Sequence, residues 1–145
     1  MAKTQPDTEI LDLAISREIA AYRLYKKMAG RAPDPQMKQI LESLANEELE
    51  HKARLELELM KLGIVVPSEK QVPPEPIDDE PAAGMDFKEL LMFAINKEQS
   101  AMRLYIDLAA MTRNKASREM LITLAEEEAM HRARFEVELN ILMRK

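Results

Sequence analysis

Glu47-Glu48-Leu49-Glu50-His51 and Glu127-Glu128-Ala129-Met130-His131 repeat one pattern, Glu-x-x-His, 80 positions apart in a chain of 145 residues. The sequence has 2 histidines, and both lie in these stretches. On a helix, positions i and i+3 share a face, so carboxylate and imidazole point the same way. A lone Glu-x-x-His carries little weight among 26 acidic residues. Two copies at matched positions of a duplicated sequence carry much more.

The duplication extends outward from the pair without gaps. At the same offset Leu11 matches Leu91, Glu18 matches Glu98, and Arg23-Leu24-Tyr25 matches Arg103-Leu104-Tyr105. Arg54, Glu56, Glu58 and Leu59 recur as Arg134, Glu136, Glu138 and Leu139. The repeated unit reads as a helical hairpin. Its first helix is expected from Thr8 to Ala29, capped by Asp7 and ended at Gly30. The inward stripe is Leu11, Ala14, Glu18, Ala21/Tyr22, Tyr25 and Met28, which puts Glu18 in the middle of an apolar face. Asp34-Pro35 opens a second helix that runs to Leu62 and stops at Gly63. Its stripe is Met37, Leu41, Leu44, Glu48, His51, Leu55, Leu59 and Leu62.

Residues 63–85 interrupt the periodicity. Pro67, Pro73, Pro74, Pro76 and Pro81 forbid a continuous helix, and the interspersed charges keep the segment wet. Some twenty extended residues reach about 65 Å at ~3.3 Å each, enough to cross a whole bundle. Hairpin 7–62 and hairpin 86–145 are therefore expected to be joined by a Pro-rich crossover in a single domain. The same length allows an exchange of hairpins between two chains of a homodimer. In the second hairpin Asp86 and Glu89 form the pattern of a capping box. Leu91, Ala94, Glu98, Ala101/Met102, Tyr105 and Leu108 then face inward. Asn114 caps the last helix, with Met120/Leu121, Leu124, Glu128, His131, Phe135, Leu139 and Leu142 inward.

Composition agrees with an all-α protein. Aromatics make up 4%, Gly is 3 and Met is 11, a balance that suits helices rather than sheets. The absence of cysteine excludes disulfides, iron–sulfur clusters and thiolate metal sites. A net charge of −5 argues against nucleic acid as a partner. No apolar run approaches the ~20 residues of a membrane span, and Met1 to Gln5 lack a signal-peptide layout, so a cytoplasmic protein is expected.

Glu18, Glu48, Glu98 and Glu128, with His51 and His131, fall near the middle of their helices. Two hairpins packed about a pseudo-twofold axis bring all six to one level. Four carboxylates in a core repel one another and lose hydration, which raises their pKa values unless a counter-charge is present. The inward stripes contain no lysine or arginine to supply one. Two divalent cations balance four carboxylates with both imidazoles neutral. The oxygen-rich donor set suits iron or manganese, with zinc another ion that binds such ligands.

The combined motif, Glu18, Glu48-x-x-His51, Glu98 and Glu128-x-x-His131 in register over nearly the whole chain, resembles the ferritin-like superfamily, specifically a rubrerythrin-like di-iron protein. The resemblance implies a ferritin-like four-helix bundle whose six ligands hold two iron ions, with no catalytic residue apart from the ligands. Tyr25 and Tyr105 match tyrosines that flank the metals in such proteins. They suit core packing equally well. The implied activity is oxidoreduction: hydrogen peroxide or dioxygen is reduced with electrons from an external donor. Two departures stand out. These 145 residues contain no cysteine and so no four-cysteine rubredoxin domain. Ala101, like Ala21, stands where rubrerythrins carry an additional glutamate, which brings the ligand set closer to the bacterioferritin type. The alternatives are a ferroxidase or iron-handling protein, a helical module that metal only staples, and a hydroxylase. Glu47, Glu127, Glu50, Glu58 and Glu138 are expected at the solvated rim.

Overall fold

A computed structural model describes residues 6–64 and 84–144, which form four helices: α1 Pro6–Ala29, α2 Pro35–Lys61, α3 Phe87–Met111 and α4 Lys115–Met143. Three of the four expected N-caps are in place. Asp34 accepts from the Met37 amide at 2.8 Å and Asn114 from the Ser117 amide at 2.9 Å. Asp86 and Glu89 exchange bonds at 2.8 and 3.2 Å in a full capping box. Each bond satisfies an amide that the helix itself leaves without an acceptor.

Asp7 behaves differently. The helix is already formed at Pro6, and the Asp7 carboxylate accepts from the backbone amides of Arg113 and Asn114, both at 3.0 Å. It thus ties the start of α1 to the α3–α4 turn rather than capping its own helix. At the end of α2, Gly63 takes a φ of 85°. The Gly63 amide bonds to Met60 O at 3.0 Å and the Ile64 amide to Leu59 O at 3.1 Å, the paired bonds of a Schellman turn, which a side chain at Gly63 would strain.

The chain is an all-α four-helix bundle of two hairpins, α1–α2 and α3–α4, joined by a crossover. Each hairpin is closely packed internally, and α1 faces α3 while α2 faces α4. The apolar core is split into two clusters. One joins Tyr25, Met28 and Leu41 to Leu90, Leu91 and Phe135, where the Tyr25 and Phe135 rings stand 5.3 Å apart. The other joins Leu11, Leu55 and Leu59 to Tyr105, Leu108, Leu121 and Leu124. The C-terminal part of α1 therefore lies beside the N-terminal part of α3, and α2 ends at the opposite end of the bundle from the start of α3. Residues 65–83, most of the Pro-rich stretch, lie outside the described residues. Between the two apolar clusters lies a layer of buried glutamates and histidines.

Candidate metal centre

All six expected ligands meet in this layer. Glu18, Glu48, Glu98 and Glu128 are each 0% exposed, His51 1% and His131 4%. α1 and α3 supply one glutamate each, and α2 and α4 supply a Glu-x-x-His each. Their donor atoms form two clusters, Glu18/Glu48/His51/Glu128 and Glu48/Glu98/Glu128/His131, within each of which the atoms lie within 4.8 Å of one another. Glu48 and Glu128 belong to both. Glu18 and Glu98 belong to one each, so Glu48 and Glu128 would serve both cations and Glu18 and Glu98 one each.

The donor set passes a test of fit for cations. Glu18 Oε1, Glu48 Oε1, Glu98 Oε2, Glu128 Oε1 and the Nδ1 atoms of His51 and His131 are buried without a hydrogen-bond partner. One such atom comes from every expected ligand. Buried polar atoms are rarely left in this state. His51 Nδ1 lies 3.2 Å from Glu48 Oε1 and 3.3 Å from Glu18 Oε1. His131 Nδ1 lies 2.9 Å from Glu128 Oε1 and 3.4 Å from Glu98 Oε2. The two rings stack with centroids 5.9 Å apart.

The outer nitrogens of the imidazoles are held across the bundle. His51 Nε2 meets Glu127 Oε1 at 3.0 Å and His131 Nε2 meets Glu47 Oε1 at 3.3 Å. Each hairpin thereby orients the other's histidine, leaving Nδ1 turned inward. Glu127 is gripped in turn by Arg54, at 3.0 and 3.1 Å. Glu47 and Glu127 lie at the partly exposed rim, 47% and 31% exposed, and from there they also partner the histidines; the repeated Glu-Glu of 47–48 and 127–128 is the signal that marks them. Glu58 departs from the rim. It is buried, 4% exposed, and bonded to Lys61 at 3.1 Å.

Tyr25 and Tyr105 reach the layer from opposite clusters. The Tyr25 hydroxyl donates to Glu98 and the Tyr105 hydroxyl to Glu18, so each tyrosine serves the glutamate of the facing helix. Burial and these carboxylates raise both phenol pKa values well above the ordinary range, so the hydroxyls keep their protons and remain donors.

The largest correction concerns Arg17. The inward stripes contain no cation, yet the Arg17 side chain curls from the flank of α1 into the layer. Its guanidinium donates to Glu48 Oε2 at 2.7 Å and to Glu98 and Glu128, and reaches Glu18 Oε2 at 3.4 Å. Burial opposes its charge, but Glu98, Glu48 and Glu18 hold it protonated. One side of Arg17 opens on a groove of about 310 Å³ between α1 and α3, walled by Ala20, Ala21, Leu24, Ala101 and Leu104. A repeated cation–glutamate pair, Arg17-Glu18 and Lys97-Glu98, was legible in the sequence. A helical stripe follows the Cα–Cβ directions and carries no information on the reach of a guanidinium.

The electrostatics describe a metal-free centre that borrows protons. Burial lowers the His51 pKa, but Glu18 and Glu48 more than reverse this, to about 10. His131 rises to about 9, as Glu98 and Glu48 outweigh burial. Burial, with repulsion from Glu18 and against the pull of Arg17, raises Glu48 to about 7. Burial also acts on Glu98, yet Arg17, His131 and Tyr25 hold it below the ordinary carboxylate range. Arg17, two imidazoliums and the raised affinity of Glu48 for a proton thus offset the buried negative charge that two dications would otherwise balance.

The Rubrerythrin family profile matches residues 9–76, the first hairpin and part of the crossover. No curated protein matches the chain. Among solved structures, a hypothetical protein from Pyrococcus furiosus is 26% identical with a TM-score of 0.76, covering 99% of this chain and 94% of that one. A Mycobacterium tuberculosis bacterioferritin has a TM-score of 0.80 at 13% identity, covering 99% and 90%. A thioferritin from Bacteroides fragilis, described as dodecameric and bacterioferritin-related, has a TM-score of 0.78 at 21% identity, covering 98% and 90%. The fold is that of the ferritin-like, rubrerythrin-type bundles.

Proposed function

We propose that this ferritin-like bundle is an iron-handling protein of bacterioferritin-like type, a ferroxidase that takes Fe(II) as substrate at a dinuclear centre. The observation that carries the reading is the pair of matched clusters sharing Glu48 and Glu128. Each offers three carboxylates and one imidazole nitrogen, a hard donor set suited to iron. Ala21 and Ala101 leave the set symmetric, without the additional glutamate of rubrerythrins. The likeness to bacterioferritins and to a bacterioferritin-related thioferritin supports the same choice.

In the reaction two Fe(II) lose one electron each. Dioxygen with two protons becomes hydrogen peroxide, or peroxide with two protons becomes two waters. The chain's part is positional. Glu47 and Glu127 hold the imidazoles with Nδ1 inward, Tyr25 and Tyr105 fix the carboxylates of Glu98 and Glu18, and the two apolar clusters shield the layer above and below.

A second reading, rubrerythrin-type reduction of peroxide by an external donor, is favoured by the family match over the first hairpin. One experiment separates the readings. Metal-free protein is given excess Fe(II) anaerobically, then dioxygen or hydrogen peroxide. Oxidation of many irons per centre supports the ferroxidase. A single two-electron event, faster with peroxide and renewed only by an added reductant, supports the peroxidase. No oxidation by either oxidant refutes both and leaves a bundle stapled by metal.

A further inference from the structure

We infer that Arg17 is the internal counter-ion of the metal-free centre, and that entering dications displace it into the groove between α1 and α3, so that this residue sets the metal affinity. The inference rests on the dinuclear reading and adds a role for a residue outside the ligand set.

Three observations carry it. First, the guanidinium touches one oxygen of every glutamate, Glu18 Oε2, Glu48 Oε2, Glu98 Oε1 and Glu128 Oε2. The other oxygen of each makes no hydrogen bond and faces an imidazole Nδ1 at 2.9–3.4 Å. Arg17 therefore occupies one oxygen of each carboxylate, and dications would draw on the oxygens and Nδ1 atoms it leaves. Arg17 together with two dications would bring five positive charges to four carboxylates, and the excess charge in a poorly screened interior favours the departure of the guanidinium. Second, the arginine has somewhere to go. Its side chain is 13% exposed and lines the groove of about 310 Å³, whose polar groups include Ser16, Ser100 and Lys97. The long apolar stem can stay against Ala20 and Ala21 while the head turns to water. Third, the duplication already shows the outward arrangement. Lys97, the α3 counterpart of Arg17, lies along its own helix with Nζ 5.4 Å from the Phe93 ring centroid and contributes to the same groove.

Thermodynamic linkage gives the consequence. A group that stabilises the metal-free state and must leave on loading weakens metal binding by the stabilisation it gave. An iron-handling protein must release metal as well as bind it. A cation waiting at the mouth of the site favours release.

The test compares the wild-type chain with Arg17→Met and Arg17→Lys, using Mn(II) calorimetry and thermal unfolding with chelator or with saturating Mn(II). Arg17→Met is expected to lower the Tm of the metal-free protein, to leave the Mn(II)-loaded Tm near that of wild type, and to tighten Mn(II) binding by about tenfold or more. Arg17→Lys should fall between. Should metal-free Arg17→Met fail to fold, recovery of its helical circular dichroism on adding Mn(II) supports the inference. The affinity comparison then passes to Arg17→Lys. Unchanged or weaker binding in both variants, or an equal loss of Tm in both states, overturns it. Absence of Mn(II) and Fe(II) uptake by wild type and variants alike overturns the dinuclear reading itself. Uptake by Arg17→Met alone overturns the displacement of Arg17 by dications while leaving the dinuclear reading intact.

Discussion

Glu127→Ala is the most informative single change outside the six expected ligands. The Glu127 carboxylate accepts from His51 Nε2 at 3.0 Å and receives Arg54 through both oxygens. Its side chain is only 31% exposed. A hydrogen bond to a charged group contributes about 1.5–3 kcal/mol, which corresponds to roughly 10–100-fold in an equilibrium constant. The bond bears on metal binding because it selects which ring nitrogen faces the carboxylates. Glu127→Ala should therefore weaken binding at the His51 cluster by roughly 10–100-fold. Its counterpart Glu47 is more exposed, 47%, and meets His131 at a longer 3.3 Å. Glu47→Ala should cost less, because water screens that pair better. Calorimetric titration with Mn(II) reads both. An equal or larger loss for Glu47→Ala, or no loss for Glu127→Ala, would refute the claim that these carboxylates aim the histidines.

Because Glu48 serves both clusters and Glu18 only one, Glu48→Ala should strip both metals. Glu18→Ala should retain about half the metal, as counted by elemental analysis of protein loaded with Fe(II) or Mn(II). Tyr25→Phe removes the donor to buried Glu98 and should destabilise the metal-free protein by about 1–3 kcal/mol with its helical content intact. Thermal unfolding of an unaltered fold at wild-type Tm would contradict it. The raised pKa values also set a pH dependence. His51 and His131 titrate at about 10 and about 9 when folded, against 6.5 when unfolded. Their stabilising effect on the metal-free protein is thus fully present below pH 6.5 and is lost as pH rises through 9 and 10. Glu48, raised to about 7 from 4.5, acts in the same sense at lower pH. The Tm in chelator should fall from pH 6 to 9, and metal uptake at pH 7 should release protons into a weak buffer. A flat or rising Tm and proton-neutral uptake would contradict these assignments.

Much of the molecule is readable along the chain. Helix stripes with Glu18 and Glu98 inside them, the caps at Asp34, Asp86 and Asn114, the stop at Gly63 and the repeated Glu-x-x-His all follow from spacing. Such features depend on the local geometry of a helix, 3.6 residues per turn, which neighbouring residues determine among themselves. The duplication adds long-range information, because the two halves must pack by one symmetry. That is why an all-α bundle with six converging candidate ligands follows from the sequence alone.

What only the tertiary structure decided are the meetings across helices. Tyr25 serves Glu98 and Tyr105 serves Glu18, Glu127 holds His51 and Glu47 holds His131, Asp7 secures the α3–α4 turn, and Arg17 turns into the centre. Periodicity reports the direction in which a Cα–Cβ bond leaves its own helix. It does not report the vertical register of the facing helix, nor where a long flexible side chain comes to rest. Both depend on how two hairpins settle against each other, and on a cluster of buried negative charge that draws in the nearest cation.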